Sequence, residues 1–357
     1  MTTALPAREE IGATCKLIDD HCQSIYTWQY ERSRPQLVTL YNKAAESQWA
    51  SVTDLDWSTD VDPEAPNLRL MREVTRMPGS PIASWGEREL TRLGVEMLTA
   101  LLSQFMHAEQ GAMMTAAKIV DTVPWIDAKY YAATQTMDEA RHTEVFARYI
   151  DEKVGTAYPM NPDLEAQITG LLEDSRWDIA YLGMQIVIES LALAAFGDMA
   201  RRTTEPLLKK LLRYVLADEA RHVAFGILSL GEYYRDLSSA ELKDRQDFLL
   251  EHTVHARARS TTPEVWERMG VSARAVVPFV AEAAAAMQAS PFQSFQNGFF
   301  AKLVPNVRRL GLLDANDGHL RRAWGEAGLL RFEFADDTLA DYEAYDAVAA
   351  DRAGGAG

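Results

Sequence analysis

The sequence predicts an all-α protein: a four-helix bundle with additional flanking helices. Three observations carry the prediction. Long stretches are rich in Ala, Leu, Met, Glu and Arg, all good helix formers, and β-branched runs are few. Four such stretches are separated by short breaks, at Pro124, at Gly155 and Pro159, and just before Pro206. The pentapeptide Asp-Glu-Ala-Arg-His occurs twice, at 138–142 and 218–222, so the chain holds two copies of one helical hairpin.

The elements follow in order. Residues 7–60 read as two helices broken near Pro35, then a turn-rich stretch with Asp60, Asp62, Pro63 and Pro66. Trp28, Tyr30, Trp49 and Trp57 read as packing residues that close one end of the core. Pro78, Gly79 and Pro81 punctuate the chain. Ser84 then offers an N-cap, and Glu87 completes a capping-box pattern. Helix A runs from there to about Thr122, and helix B from about Trp125 to Lys153. Helix C covers about Leu172 to Arg202, and helix D runs from Pro206 to about Arg235. Residues 238–350 read as further helices with breaks at Pro263, Pro278, Pro291 and Pro305. No linker separates two cores. The chain therefore reads as a single domain over 1–357, with flanking helices at 1–84 and 236–350 around a bundle at 85–235.

Composition excludes several classes. Of the 357 residues, 47% are hydrophobic and 25% charged, too apolar for a disordered chain. A net charge of −16 argues against a nucleic-acid partner, since phosphate binding needs a basic face. Two cysteines, Cys15 and Cys22, make neither a disulfide framework nor a four-cysteine zinc site; they read as reduced, buried thiols of a cytoplasmic protein. The first ten residues carry Glu9 and Glu10 and no apolar core, unlike a secretory signal. No apolar run reaches membrane-spanning length without a charge, so no membrane partner is expected.

The charges that interrupt those runs carry the chemistry. Glu109 is the only carboxylate in 97–117, and Glu189 the only one between Asp178 and Asp198. A lone buried carboxylate costs several kcal/mol, so each must be protonated, paired or bound to a cation. The two are 80 residues apart, the offset of the pentapeptides, and each lies 30 residues before its own Glu-x-x-His. Residues i and i+3 share a helix face, so Glu139 with His142, and Glu219 with His222, can each reach one metal-sized space. Four carboxylates and two imidazoles on four helices suit two iron or manganese ions, whose charge they neutralise. A salt-bridged surface would explain one copy of the motif, but not two copies each matched to an isolated glutamate.

The stretches Glu109-Gln-Gly-Ala-Met-Met and Gln135-Thr-Met-Asp-Glu-Ala-Arg-His, with the second Asp-Glu-Ala-Arg-His, resemble the ferritin-like di-iron carboxylate superfamily. The likeness covers about 85–235 and is nearest the oxygen-activating branch: hydroxylase α subunits of bacterial multicomponent monooxygenases, ribonucleotide reductase small subunits and stand-alone di-iron oxygenases. The resemblance implies that Glu109, Glu139 and His142 hold one iron, and Glu189, Glu219 and His222 the other. One carboxylate of each pair would bridge the metals. It implies an Fe/Fe centre, with Mn/Fe as the variant, and catalytic chemistry beside Glu109 and Glu189. It makes Asp138 and Asp218 acceptors for the histidines' outer N–H groups, with Arg141 and Arg221 pairing with those aspartates. It further implies O2 and a small organic substrate, which is hydroxylated or N-oxygenated, a ferredoxin or flavin reductase as electron donor, and room for a homodimer.

Three accessory markers of that superfamily are missing. Radical-generating reductase subunits place a Tyr where Phe146 stands, although Tyr149 and Tyr181 are nearby. Multicomponent hydroxylases place a Thr at the position of Leu193. Some arylamine N-oxygenases add a third histidine at the position of Val215. The alternatives are a metal-storage or ferroxidase-type protein and a radical-generating or oxidase protein like the reductase subunit. The remaining candidates read as structural: His107 as a satisfied histidine, His252 and His255 beside Glu251 as a solvated face, and Met97, Met106, Met113, Met114 and Met184 as core filler. The acids of 335–351 read as a solvated helix face.

Overall fold

A computed structural model describes residues 15–61, 68–255, 263–287 and 293–335. Among these, every regular element is a helix: α1 (Pro35–Glu46), α2 (Ser51–Asp54), α3 (Arg69–Arg76), α4 (Glu87–Thr122), α5 (Ile126–Tyr149), α6 (Pro162–Glu173), α7 (Trp177–Arg202), α8 (Pro206–Tyr233), α9 (Ser239–His255), α10 (Pro263–Arg268), α11 (Ala273–Ala286), α12 (Gln293–Arg309) and α13 (Ala315–Glu326). The hairpins α4–α5 and α7–α8 make the bundle, and α5 packs on α8. α1 lies over α5 and α8, and α12 runs along α7.

The helix ends follow local chemistry. α4 is capped two residues later than the sequence suggests. Trp85 N–H donates to Ile82 O, which keeps Ser84 in a turn, and Glu89 instead accepts from Gly86 N–H at 3.0 Å. Val123 closes α4 because Pro124 disfavours a helical residue before it. α5 runs on into a π-helical turn, Ile150–Val154, ended by Gly155 at φ 138°. α8 has Pro206 in its first turn, and the Glu205 carboxylate accepts from Leu207 and Leu208 N–H.

Helix C of the sequence starts later than expected, and a separate helix precedes it. Residues 162–173 form their own helix, with Asn161 accepting from Asp163 N–H, and α7 begins at Trp177. Leu182–Ile188 within α7 is π-helical, and it ends at Glu189. Such wide turns concentrate at functional sites. α7 is the one described helix long and apolar enough to cross a membrane, but 78% of its apolar window is buried inside the protein. It is the core helix of the bundle.

The flanks depart further from expectation. Residues 15–34 form no helix, so Pro35 starts α1 instead of breaking a helix pair. This segment is strapped to the bundle by Ile25 N–H on Asp121 O and by Arg32 on Asp127. Trp49 and Trp57 are buried as expected, whereas Trp28 and Tyr30 are 84% and 58% exposed. An extended strap offers them no second layer to pack against. Cys15 is exposed and Cys22 half-buried, so neither is a core residue. Pro263 opens α10, but Pro278 and Pro305 lie inside α11 and α12. Pro305 removes one helical hydrogen bond, while the fully buried Leu303, Val304 and Val307 hold that helix against the core. Pro63, Pro66, Pro291 and the acidic stretch beyond residue 335 lie outside the described residues.

Candidate metal centre

The 3.6-residue period puts Glu139 and His142 on the inner face of α5, and Glu219 and His222 on the inner face of α8. Glu109 projects from the middle of α4, and Glu189 from the turn that follows the π-helical run of α7. All six are buried, none more than 4% exposed. They form two overlapping cages, Glu109–Glu139–His142–Glu219 and Glu139–Glu189–Glu219–His222, each with its candidate ligand atoms within 4.8 Å of one another. The shared residues divide their oxygens. Glu139 turns Oε2 to His142 Nδ1 (3.3 Å) and Oε1 to His222 Nδ1 (3.1 Å). Glu219 turns Oε1 to His142 Nδ1 (3.1 Å) and Oε2 to His222 Nδ1 (2.8 Å). Glu109 meets His142 Nδ1 at 3.4 Å, and Glu189 meets His222 Nδ1 at 3.6 Å.

These residues fit a pair of cations. Glu139 Oε2, Glu219 Oε1 and His142 Nδ1 are buried without a hydrogen-bond partner among the described residues. Orphaned polar atoms are costly, and three converging on one point are a cation's donor set. Protonation shows the same demand. Burial and the charges of Glu219 and Glu139 raise Glu109 and Glu189 well above the carboxylate range. Burial works against both imidazolium ions, yet the surrounding carboxylates raise His142 and His222 well above the usual value. Burial would raise Glu139 too, but the two histidines, His222 foremost, hold it well below its ordinary value. Without metal, the cluster balances its charge with protons that two divalent ions would replace.

The outer contacts are crossed between the repeats. His142 Nε2 meets Asp218 Oδ2 at 3.1 Å, and His222 Nε2 meets Asp138 Oδ2 at 3.4 Å. Arg141 donates to Asp138 (2.5 Å) and to Asp218 (3.3 Å), and Arg221 donates to Asp218. Burial opposes the Asp218 charge, but Arg221, His142 and Arg141 hold its pKa far below the usual value.

Four participants escape the motif search. Gln48, in the loop after α1, donates to Asp138 at 2.8 Å and accepts from Arg141. Trp49 Nε1–H donates to Asp218 at 2.8 Å, under the Arg141 guanidinium. Gln135 donates to Glu139 and to Glu189, and Gln185 donates to Gln135. The two glutamines carry a usable signal, since each stands one helical turn before a candidate ligand. Gln48 and Trp49 carry none, because they come from a distant segment.

The other candidates are structural. His107 Nε2 bonds Tyr158 O at 2.9 Å, and His252 Nδ1 bonds Phe248 O. Tyr149 donates its hydroxyl to Glu205, the cap of α8. Phe146 packs on Phe105 and Phe196, and Val215 and Leu193 are buried. Met184 is core, while Met114 is 42% exposed.

Residues 31–311 match the family model described as p-aminobenzoate N-oxygenase AurF. No curated protein matches the chain. Among solved structures it resembles single-residue variants of an R2-like ligand-binding oxidase with an anaerobically reconstituted Mn/Fe cofactor. Two of these are each 15% identical over 78% of this chain and 94% of theirs, with TM-scores of 0.47 and 0.48. The same oxidase with an aerobically reconstituted metal cofactor, after photoconversion, is 16% identical over 86% of this chain and 95% of its own, with a TM-score of 0.44. At that distance nothing about this chain's chemistry follows from them. The family model spans most of the chain and both buried Glu/His cages, and the chain belongs to the p-aminobenzoate N-oxygenase AurF family as an O2-dependent di-iron oxygenase.

Proposed function

We propose that Glu109, Glu139, His142 and Glu219 hold one iron, that Glu139, Glu189, Glu219 and His222 hold the other, and that the enzyme N-oxygenates a small aromatic amine. The observation that carries the ligand assignment is the division of oxygens in Glu139 and Glu219, one to each cage. The choice of N-oxygenation over hydroxylation rests on the family's description. Iron supplies the activation of O2 when bound. The chain's own residues neutralise its charge, fix its geometry and exclude water. Asp218 and Asp138 accept from the histidines' Nε2–H and so keep Nδ1 aimed inward. The amine would sit beside the two catalytic glutamates, where Phe105, one turn before Glu109, and Leu193, one turn after Glu189, are buried apolar residues.

Two electrons per turnover come, in this reading, from a ferredoxin or flavin reductase. We place the enzyme in the cytoplasm, as a single-domain subunit of a homodimer; a core cluster running from Leu37 to Leu329 supports the single domain. The test loads the chain with Fe(II) without air, then adds O2 and p-aminobenzoate. The expected product is the hydroxylamine, resolved chromatographically from the isomeric aminophenol. Aminophenol alone would overturn N-oxygenation. Glu109→Ala and His142→Ala should each lower bound iron below two per chain, and full retention in either would refute the ligand set.

A further inference from the structure

The 80-residue repeat gives every residue around the centre a counterpart, and at three pairs of positions the difference in kind bears on the cages. Gln135 stands one turn before Glu139; its counterpart before Glu219 is Val215. Gln185 stands one turn before Glu189; its counterpart before Glu109 is Phe105. Both glutamines are fully buried. Gln185 Nε2 donates to Gln135 Oε1 at 2.9 Å, which fixes the Gln135 amide plane. Gln135 Nε2 then donates to Glu139 Oε1 (2.9 Å) and to Glu189 Oε1 (3.0 Å). Both amide hydrogens are thus spent on the carboxylates of the His222 cage. Each oxygen keeps a second lone pair for a cation.

Among the described residues, the His142 cage has no such arrangement. Val215 and Phe105 have no side-chain donor, and the three orphaned ligand atoms all belong to this cage. A third counterpart pair follows suit. Gly226 on α8 lets α7 approach so closely that a Cβ there would lie 2.5 Å from Gln185 Cβ. The matching residue on α5 is Phe146, whose ring packs 5.8 Å from Phe105 and 5.5 Å from Phe196. One cage is walled by amides and the other by aromatic rings.

We propose that Gln135, braced by Gln185, is a positioning residue that preforms the His222 cage, so the two metal positions are unequal. The His222 cage fills first and more tightly, and the His142 cage is the adaptable one. This rests on the ligand assignment above. The physical ground is preorganisation: carboxylates already held in place lose less freedom when a cation arrives. Outer partners of metal ligands are typically worth about 10–100-fold in affinity.

The test is an anaerobic Co(II) titration of the full metal-free chain, followed by visible absorption and equilibrium dialysis. Wild type should bind two ions in two resolved steps. In a His142→Ala background, which keeps the His222 cage, Gln135→Leu should weaken binding about tenfold or more. In a His222→Ala background the same change should cost less than about threefold. Gln185→Leu, which leaves Gln135 in place, should give a smaller loss with the same preference, and it serves if Gln135→Leu does not fold. Equal losses in both backgrounds would overturn the inference and leave the ligand set standing, as would two equal steps in wild type. Fewer than two ions bound by wild type would overturn the ligand set and the inference with it.

Discussion

Asp218 tests the crossed wiring of the centre. In sequence it is the i−4 neighbour of His222, yet its carboxylate meets His142 Nε2 at 3.1 Å. It also accepts from Trp49, Arg141 and Arg221, all at nearly dry positions. Asp218→Asn should therefore destabilise the metal-free protein by about 3–5 kcal/mol, the usual cost of leaving a buried charge without its partner. Part of that cost belongs to the histidine contact alone. A hydrogen bond to a charged group contributes about 1.5–3 kcal/mol. A double-mutant cycle isolates it, since neighbours couple and separated sites add. The cycle compares urea midpoints of Asp218→Asn, His142→Ala and the double variant, then repeats the set with His222→Ala. Coupling with His142 should reach about 1.5–3 kcal/mol, and coupling with His222 should stay below about 0.5 kcal/mol. Larger coupling with His222 than with His142 would refute the crossed arrangement.

Other outcomes follow from the same geometry. Gly226→Ala places a methyl 2.5 Å from Gln185 Cβ and 3.1 Å from Ile186 Cδ1, so the urea midpoint should fall by about 1–3 kcal/mol of stability; an unchanged midpoint would mean that α7 and α8 have slack at this contact. His142, His222, Glu109 and Glu189 all have raised folded pKa values. Their protonated forms stabilise the metal-free fold below the unfolded values, about 6.5 for His and about 4.3 for Glu, and that contribution is lost as pH rises through the folded values. Metal-free stability at this cluster should therefore fall with rising pH while Co(II) affinity rises; urea midpoints and titrations at matched pH would show whether the two trends oppose, and parallel trends would contradict the proton-for-metal exchange. Asp218 has the opposite sign. Its contribution is complete above about pH 4 and drains as pH falls, so Asp218→Asn should flatten the acid limb of the stability profile, and an unaltered limb would count against it.

How much of this is legible in the chain depends on the range of the interaction. Glu-x-x-His is a local device, because i and i+3 share a helix face in any α-helix, and the two isolated glutamates stand out against apolar neighbours without any fold. The helix ends are less legible. Ser84 looks like a cap until Trp85 N–H is committed to Ile82 O, and Pro305 looks like a break until Leu303, Val304 and Val307 are seen to be buried. The π-helical run before Glu189 has no sequence signature, and only the fold shows Leu171 of α6 and Gly226 of α8 packed closely against Gly183 and Gln185 within it.

The sequence by itself determined the helical class, the repeated hairpin and the six residues of the two cages. Tertiary structure alone decided which partner each residue meets. Each histidine turns Nδ1 inward to the carboxylates, so Nε2 points away from the centre. Across the bundle, each Nε2 meets the aspartate of the other hairpin instead of the one a turn away on its own helix. Gln48 and Trp49 reach those aspartates because α1 folds over α5 and α8, 90 and 169 residues away in sequence. Helix periodicity is a property of neighbouring residues, whereas the choice between chemically equal acceptors is made by distance in the packed core.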